Sequence, residues 1–230
     1  MQETFPTFFA QAPTVRVRDP LARFLGAAAG GILEYHYADA VRLAGHSCPT
    51  VAGAYLLTRR GLRALYGDAL PERGGIAVQM RDSRDSGTTG VIAAVATLLT
   101  GAAAETGFGG IAPAARFTRR NLLDYDAPIR GLMVLRRLDN GASVELELNA
   151  AVVPFPAEMQ SLMPKAVSGQ ATPDELARFG KHCTPCPIPA QALEASGFAW
   201  LAAQFTARRP LELVATTGGQ TRILGALYPA

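Results

Sequence analysis

Residues 129–148, IRGLMVLRRLDNGASVELEL, carry the pattern that decides the fold. Val144, Leu146 and Leu148 alternate with Glu145 and Glu147, the period-two signature of a strand with one apolar and one wet face. Asp139-Asn140-Gly141 precedes that run, and Asn-Gly is the dipeptide that best tolerates the left-handed backbone of a tight hairpin. The spacing therefore predicts two antiparallel strands, 129–137 and 143–148. Upstream, residues 75–80 have strand character, and a second hairpin is expected near the end, over 211–217 and 221–227 with Gly218-Gly219 at its turn.

Helical signals surround these strands. Asp39 reads as the N-cap of a helix through Ala40, Val41 and Leu43 that stops at Gly45. Pro49 suits the first position of the next helix, which places Cys48 at its N-cap and carries the helix through Tyr55, Leu56 and Leu62 to Gly67. Residues 91–104 are small and apolar on nearly every side, the composition of a buried helix. Thr172-Pro173-Asp174-Glu175 has the form of a capping box, opening a helix expected to end at Gly180, and Pro189 opens another. Strands and helices in clusters, without strict alternation, predict an α+β fold: an antiparallel sheet with packed helices and a small helical and hairpin C-terminal region. Three parts are expected: a lead over 1–34, irregular apart from a short helical piece around Pro20 to Ala29, a core over 35–153, and a C-terminal region over 154–230.

At 230 residues, 49% of them apolar, the chain can bury a substantial core. Three cysteines cannot staple a chain of this size, so a disulfide scaffold is excluded and a reducing, cytoplasmic setting is expected. A formal charge of +3 is carried by scattered arginine pairs such as Arg59-Arg60 and Arg119-Arg120, with no aromatic platform between them, which argues for a solvated surface and against nucleic-acid binding. No basic leader precedes the first apolar residues, and no apolar run is long enough to span a bilayer, so neither a signal peptide nor a membrane partner is expected.

The chemistry gathers at the cysteines. All three lie near a histidine, in Gly45-His46-Ser47-Cys48-Pro49 and in His182-Cys183-Thr184-Pro185-Cys186-Pro187. Thiolate and imidazole together suit transition metals, zinc first, with iron and copper, or haem through an axial ligand, also open. His46 and Cys48, two apart in an extended turn, project to one side, and the positive end of a helix suits a thiolate, the form that acts as ligand and as nucleophile. Cys183 and Cys186 form one knuckle, half of a structural zinc site, with His182 or His46 to extend it, or else a dithiol–disulfide pair. Asp82, Asp85, Ser86 and Thr88 sit at a polar turn before the alanine-rich helix, where they either bind a ligand or cofactor or form an ordinary polar loop. His36, between Tyr35 and Tyr37, is either an extra ligand or a histidine packed in the core.

Asp39-Ala40, the His46-Ser47-Cys48-Pro49 turn, Asp85-Ser86, Asn121-Leu122, Asp124-Tyr125 and the Asn140-Gly141 hairpin together resemble the FmdE-like family, named for the E subunit associated with formylmethanofuran dehydrogenase, over about residues 35–150. The resemblance implies an intertwined α+β homodimer with a metal-binding cleft beside the His-x-Cys-Pro turn. The family's second histidine falls here at Ala44, its glycine after the proline at Thr50, and its cysteine and aspartate at the second helix near Gly87, Thr88, Thr89 and Gly90, so only His46 and Cys48 carry over. Three functions stand: a Cys/His metal protein in metal or metal-cofactor handling, or accessory to a redox enzyme or metal-delivery partner; a thiol-dependent enzyme with Cys48 as nucleophile or redox thiol and His46 beside it; and a dimeric module that binds a small ligand without metal.

Overall fold

The computed structural model describes residues 5–111, 113–148, 157–183, 214–217 and 220–223. Its strands are β1 (Val15–Arg18), β2 (Ile32–Tyr35), β3 (Ile76–Met80), β4 (Leu123–Asp124), β5 (Met133–Arg137), β6 (Ser143–Leu146), β7 (Val214–Thr217) and β8 (Gln220–Ile223). Its α-helices are α1 (Pro20–Phe24), α2 (Tyr37–Ala44), α3 (Pro49–Tyr66), α4 (Thr89–Thr100), α5 (Met159–Val167) and α6 (Pro173–Cys183). The fold is α+β, as the clustering of strand and helix signals predicts.

β3, β5, β6, β7 and β8 run antiparallel to their successive neighbours, and β4 joins the free edge of β3 in parallel, giving the order β4-β3-β5-β6-β7-β8. The 133–137 and 143–146 strands pair in the expected hairpin, Leu135 opposite Val144 and Met133 opposite Leu146. All four of those side chains are buried, while Arg136 is exposed and Glu145 half-buried. The wet and dry faces thus follow the alternation in the sequence.

Helix α3 lies across the buried face. A Cβ at Gly61 would come within 2.6 Å of Leu135 Cδ1 and 2.7 Å of Leu146 Cδ1, so the absence of a side chain lets the helix backbone settle onto β5 and β6. Its inner face, from Val51 and Tyr55 to Leu62, joins Ile92, Val95 and Leu99 of α4 and Val41 of α2 in one core.

Four expectations are corrected. The lead is not irregular: Val15 and Val17 are buried and pair with Tyr35 and Leu33 in a two-stranded ribbon of β1 and β2. Helix α2 begins at Tyr37, with Asp39 inside its first turn; the Asp39 carboxylate accepts the His36 backbone N–H at 2.7 Å and so closes the helix start from within. Helix α4 ends at Thr100 and not at residue 104, because Gly101 turns left-handed at φ 75° and terminates it. Helix α6 runs past Gly180 to Cys183; its capping box is formed, with Thr172 N–H donating to Glu175 at 2.9 Å, but an exposed glycine with nothing around it does not stop a helix. The helix expected after Pro189 lies outside the described residues.

A buried ion cluster fastens the ribbon to the main sheet. Asp19, 3% exposed, caps α1 through the N–H groups of Leu21 and Ala22 and accepts Arg73 at 2.9 Å and Arg119 at 2.6 Å. A Cβ at Gly74 would overlap the Arg119 guanidinium, and Gly74 sits at φ 87°, so glycine is required there on both counts.

Candidate functional site

The turn between α2 and α3 is built by helix-end chemistry. Gly45 adopts φ 75° and donates its N–H to Val41 at 2.8 Å, which closes α2. Cys48 then takes the extended N-cap conformation (φ −151°, ψ 169°), and Pro49 begins the 18-residue α3. Pro49 stands at the first helical position and so places Cys48 at the N-cap, as expected, although the Cys48 side chain makes no capping hydrogen bond.

His46 is exposed, and its Nδ1 lies 2.9 Å from the Ala44 carbonyl oxygen. A carbonyl only accepts, so Nδ1 carries the proton and Nε2 presents a lone pair. That lone pair faces the Cys48 thiol, with Sγ 3.3 Å from Nε2. Cys48 is half-buried against the core at the positive end of α3, where the unsatisfied N–H groups of the first turn favour negative charge. The arrangement can move the thiol proton to Nε2 and keep the imidazolium oriented through Nδ1.

Ser47, between them, points inward. Its hydroxyl is 2.8 Å from the hydroxyl of Tyr37, whose side chain is fully buried. Burial pushes the Tyr37 phenol up to about 12, with the Ser47 hydrogen bond acting in the other direction.

A second feature is an open, polar cleft of about 610 Å³, lined by Ser83, Arg84, Asp85, Glu105, Asn121 and residues of the β4 strand and its exit, including Tyr125. Asp85 accepts the Ser83 hydroxyl at 2.8 Å, and that bond holds its carboxyl below the usual range. Arg84 pairs with Glu105 at 3.1 Å and lies over the Tyr125 ring at 5.5 Å. Asn121 and Asp126 both have left-handed backbones, φ 60° and 55°, which their short polar side chains tolerate.

The candidate residues thus fall in separate places. His46 and Cys48 meet directly, and Asp85 lines the cleft, as do Asp124 and Tyr125. Thr88 precedes α4 without capping it through its side chain, and Ser86 takes part in backbone turns with Ser83 and Thr89. Asp82 pairs with Arg81. His36 is not packed in the core: it is half exposed at the start of α2, with Nε2 3.4 Å from Glu34. His182 bonds Glu158 at 2.9 Å on α6, Cys183 ends that helix, and Cys186 lies outside the described residues. Among the described residues, no three His, Cys, Asp or Glu side chains converge on a point that could hold a metal ion. The link from Ser47 to Tyr37 and the Arg84–Glu105 pair escape a reading of the sequence, because partners 10 and 21 residues apart on different elements leave no local pattern.

No family model matches the chain. No solved structure matches it. Short stretches are similar to anhydro-N-acetylmuramic acid kinases: 48% identity over 60 residues with the protein of Burkholderia cenocepacia, covering 26% of this chain and 14% of the kinase. With the kinase of Bordetella avium the identity is 47% over 55 residues, 20% of this chain and 15% of that protein. With the kinase of Xanthomonas campestris it is 59% over 39 residues, 16% and 10% respectively. The chain therefore spans about a seventh of the length of the kinase from Burkholderia cenocepacia. These findings overturn the FmdE-like resemblance, since no family model matches and the similar proteins found are anhydro-N-acetylmuramic acid kinases. The physical reason lies in the turn itself: a left-handed glycine, an N-cap and a proline at the first helical position are what any tight junction between two helices selects, so Gly45-His46-Ser47-Cys48-Pro49 carries little family information.

Proposed function

We propose that the chain is a thiol-dependent protein in which Cys48 is the nucleophile and His46 receives its proton. The observation that supports this is the Sγ–Nε2 approach of 3.3 Å with Nδ1 engaged by the Ala44 carbonyl, the tautomer a base needs. In the step proposed, the S–H proton passes to Nε2 and the thiolate attacks either an electrophilic carbon, displacing a leaving group, or one sulfur of a disulfide, whose S–S bond breaks; the departing group or thiolate takes up the proton from Nε2. The reading requires a setting in which Cys48 stays reduced, as in the cytoplasm. A pH–rate profile of iodoacetamide alkylation, compared between the wild type, His46→Ala and a Cys48→Ser control, tests it. The expected result is a fast reaction near neutral pH that His46→Ala abolishes; equal profiles for the wild type and His46→Ala would refute it.

A second reading is supported by the same geometry, because one turn presents a sulfur and a nitrogen donor side by side. In that reading His46 and Cys48 are two ligands of a transition metal, zinc first, and the remaining ligands come from Cys186, a second copy of the chain or water. Elemental analysis of wild-type and Cys48→Ser protein separates the readings: stoichiometric metal lost on the substitution favours the metal, whereas a metal-free wild type with a fast thiol favours the nucleophile. The kinase activity in the relatives' name belongs to proteins of which this chain covers between about a tenth and a seventh, and it forms no part of either reading.

A further inference from the structure

We infer that Tyr37 is a positioning residue: its hydrogen bond to Ser47 holds the turn in the geometry that points His46 Nε2 at Cys48 Sγ. The inference rests on the reading of Cys48 and His46 as a reactive pair. Within the turn, Gly45 is tied to α2 and the His46 ring to Ala44, both of them local bonds on the α2 side. Ser47 is the turn residue whose side chain reaches a group fixed in the core, at 2.8 Å.

That group has no freedom to follow the turn. The Tyr37 ring is fully buried and meets Phe9 edge-on at 4.9 Å and Tyr55 edge-on at 5.7 Å. Tyr55 is pinned in turn, its hydroxyl 2.9 Å from the carbonyl oxygens of both Pro13 and Tyr35. The aromatic stack therefore sets where the Tyr37 hydroxyl lies, the hydroxyl sets Ser47, and Ser47 sits between the two reacting side chains. Burial also keeps the phenol protonated across the pH range in which a thiol works, so the link persists there. A displacement of about 1 Å in such a pair is enough to lose about a hundredfold in rate.

The test uses full-length Tyr37→Phe, Ser47→Ala, Ser47→Thr and the Tyr37→Phe/Ser47→Ala double variant. Two quantities are read: the rate of Cys48 alkylation by iodoacetamide, and the His46 tautomer by nitrogen-15 NMR of the imidazole. The expected result is a rate lowered about tenfold by Tyr37→Phe and by Ser47→Ala, restored by Ser47→Thr, and no lower in the double variant than in either single one. The Nδ1-protonated tautomer falls in the same variants that slow the reaction. Wild-type rates and tautomer in both Tyr37→Phe and Ser47→Ala would overturn the inference. A wild-type Cys48 no faster than a model thiol, with a tautomer that still responds to Tyr37→Phe, would sink the reactive-thiol reading and leave the positioning role standing. Should Tyr37→Phe fail to fold, Ser47→Ala, at a half-buried position outside the core, decides the matter with its threonine rescue.

Discussion

Asp19 and Arg119, 100 residues apart in sequence, meet at 2.6 Å with both side chains almost wholly buried. Arg73 completes the contact on the second carboxylate oxygen at 2.9 Å, so one aspartate joins the end of β1, the approach to β3 and the approach to β4. Removing the acid strands Arg119 in the interior and takes the carboxylate from the partly exposed Arg73. Asp19→Ala is expected to lower stability by about 3–5 kcal/mol, read from urea unfolding. A loss below about 1 kcal/mol would show the cluster to be dispensable.

The same cluster makes stability depend on acid pH. Burial is the largest single influence on Asp19 and pushes its carboxyl up, but the Ala22 N–H and the two arginines together outweigh it and leave the group below 3.8. A carboxylate held low in the folded state contributes stability above its unfolded value and loses it as pH falls through the folded one. Unfolding free energy should therefore drop as the pH falls below about 4, and Asp19→Asn should flatten that part of the curve. An unchanged acid limb in Asp19→Asn would contradict the assignment.

At alkaline pH the tyrosines act. Burial raises Tyr37 to about 12 and Tyr55 higher still, so both favour the neutral phenol when folded. Their stability contribution is complete below the unfolded value of about 10 and is lost as pH rises beyond it. Phenolate absorbance should show two tyrosines that ionise only together with unfolding. Free titration of all six near pH 10 would contradict their burial.

Two glycines in helices should respond oppositely to alanine. At Gly61 the new methyl meets Leu135 and Leu146, both locked in the core, and overpacking there is expected to cost about 1–3 kcal/mol despite the better helix propensity. At Gly180 nothing lies within 4 Å, and alanine should stabilise α6 by up to about 1 kcal/mol. Thermal melts of the two variants check the pair, and a shift of the same sign in both would refute the packing argument.

Much of this arrangement is legible in the residues because it is local. Gly45, Cys48 and Pro49 announce the junction of α2 and α3, and Asn140-Gly141 with its flanking alternation announces the β5–β6 hairpin. The β1–β2 ribbon is not, because each strand is four residues long: Val15 and Val17 do alternate with Arg16 and Arg18, but the run is too short to stand out, and Ile32-Leu33-Glu34-Tyr35 shows no such alternation. Arg119 reads as one of a surface pair yet is buried, since its partner lies 100 residues away and no periodicity points to it. At the site, His46 and Cys48 can be named from spacing alone, but the role of Tyr37 depends on a fold that returns the start of α3 to the start of α2. The resemblance to a metal-binding family misleads for the converse reason: helix-capping residues recur wherever two helices meet tightly.

The measurement that bears most directly on the central claim is competitive alkylation of Cys48 against a free model thiol near neutral pH, with the modified residue identified by mass spectrometry, in wild-type and His46→Ala protein. Cys48 is expected to react about tenfold faster than the model thiol, and His46→Ala to remove the advantage. A Cys48 that reacts no faster than the model thiol, whether or not His46 is present, would contradict the claim.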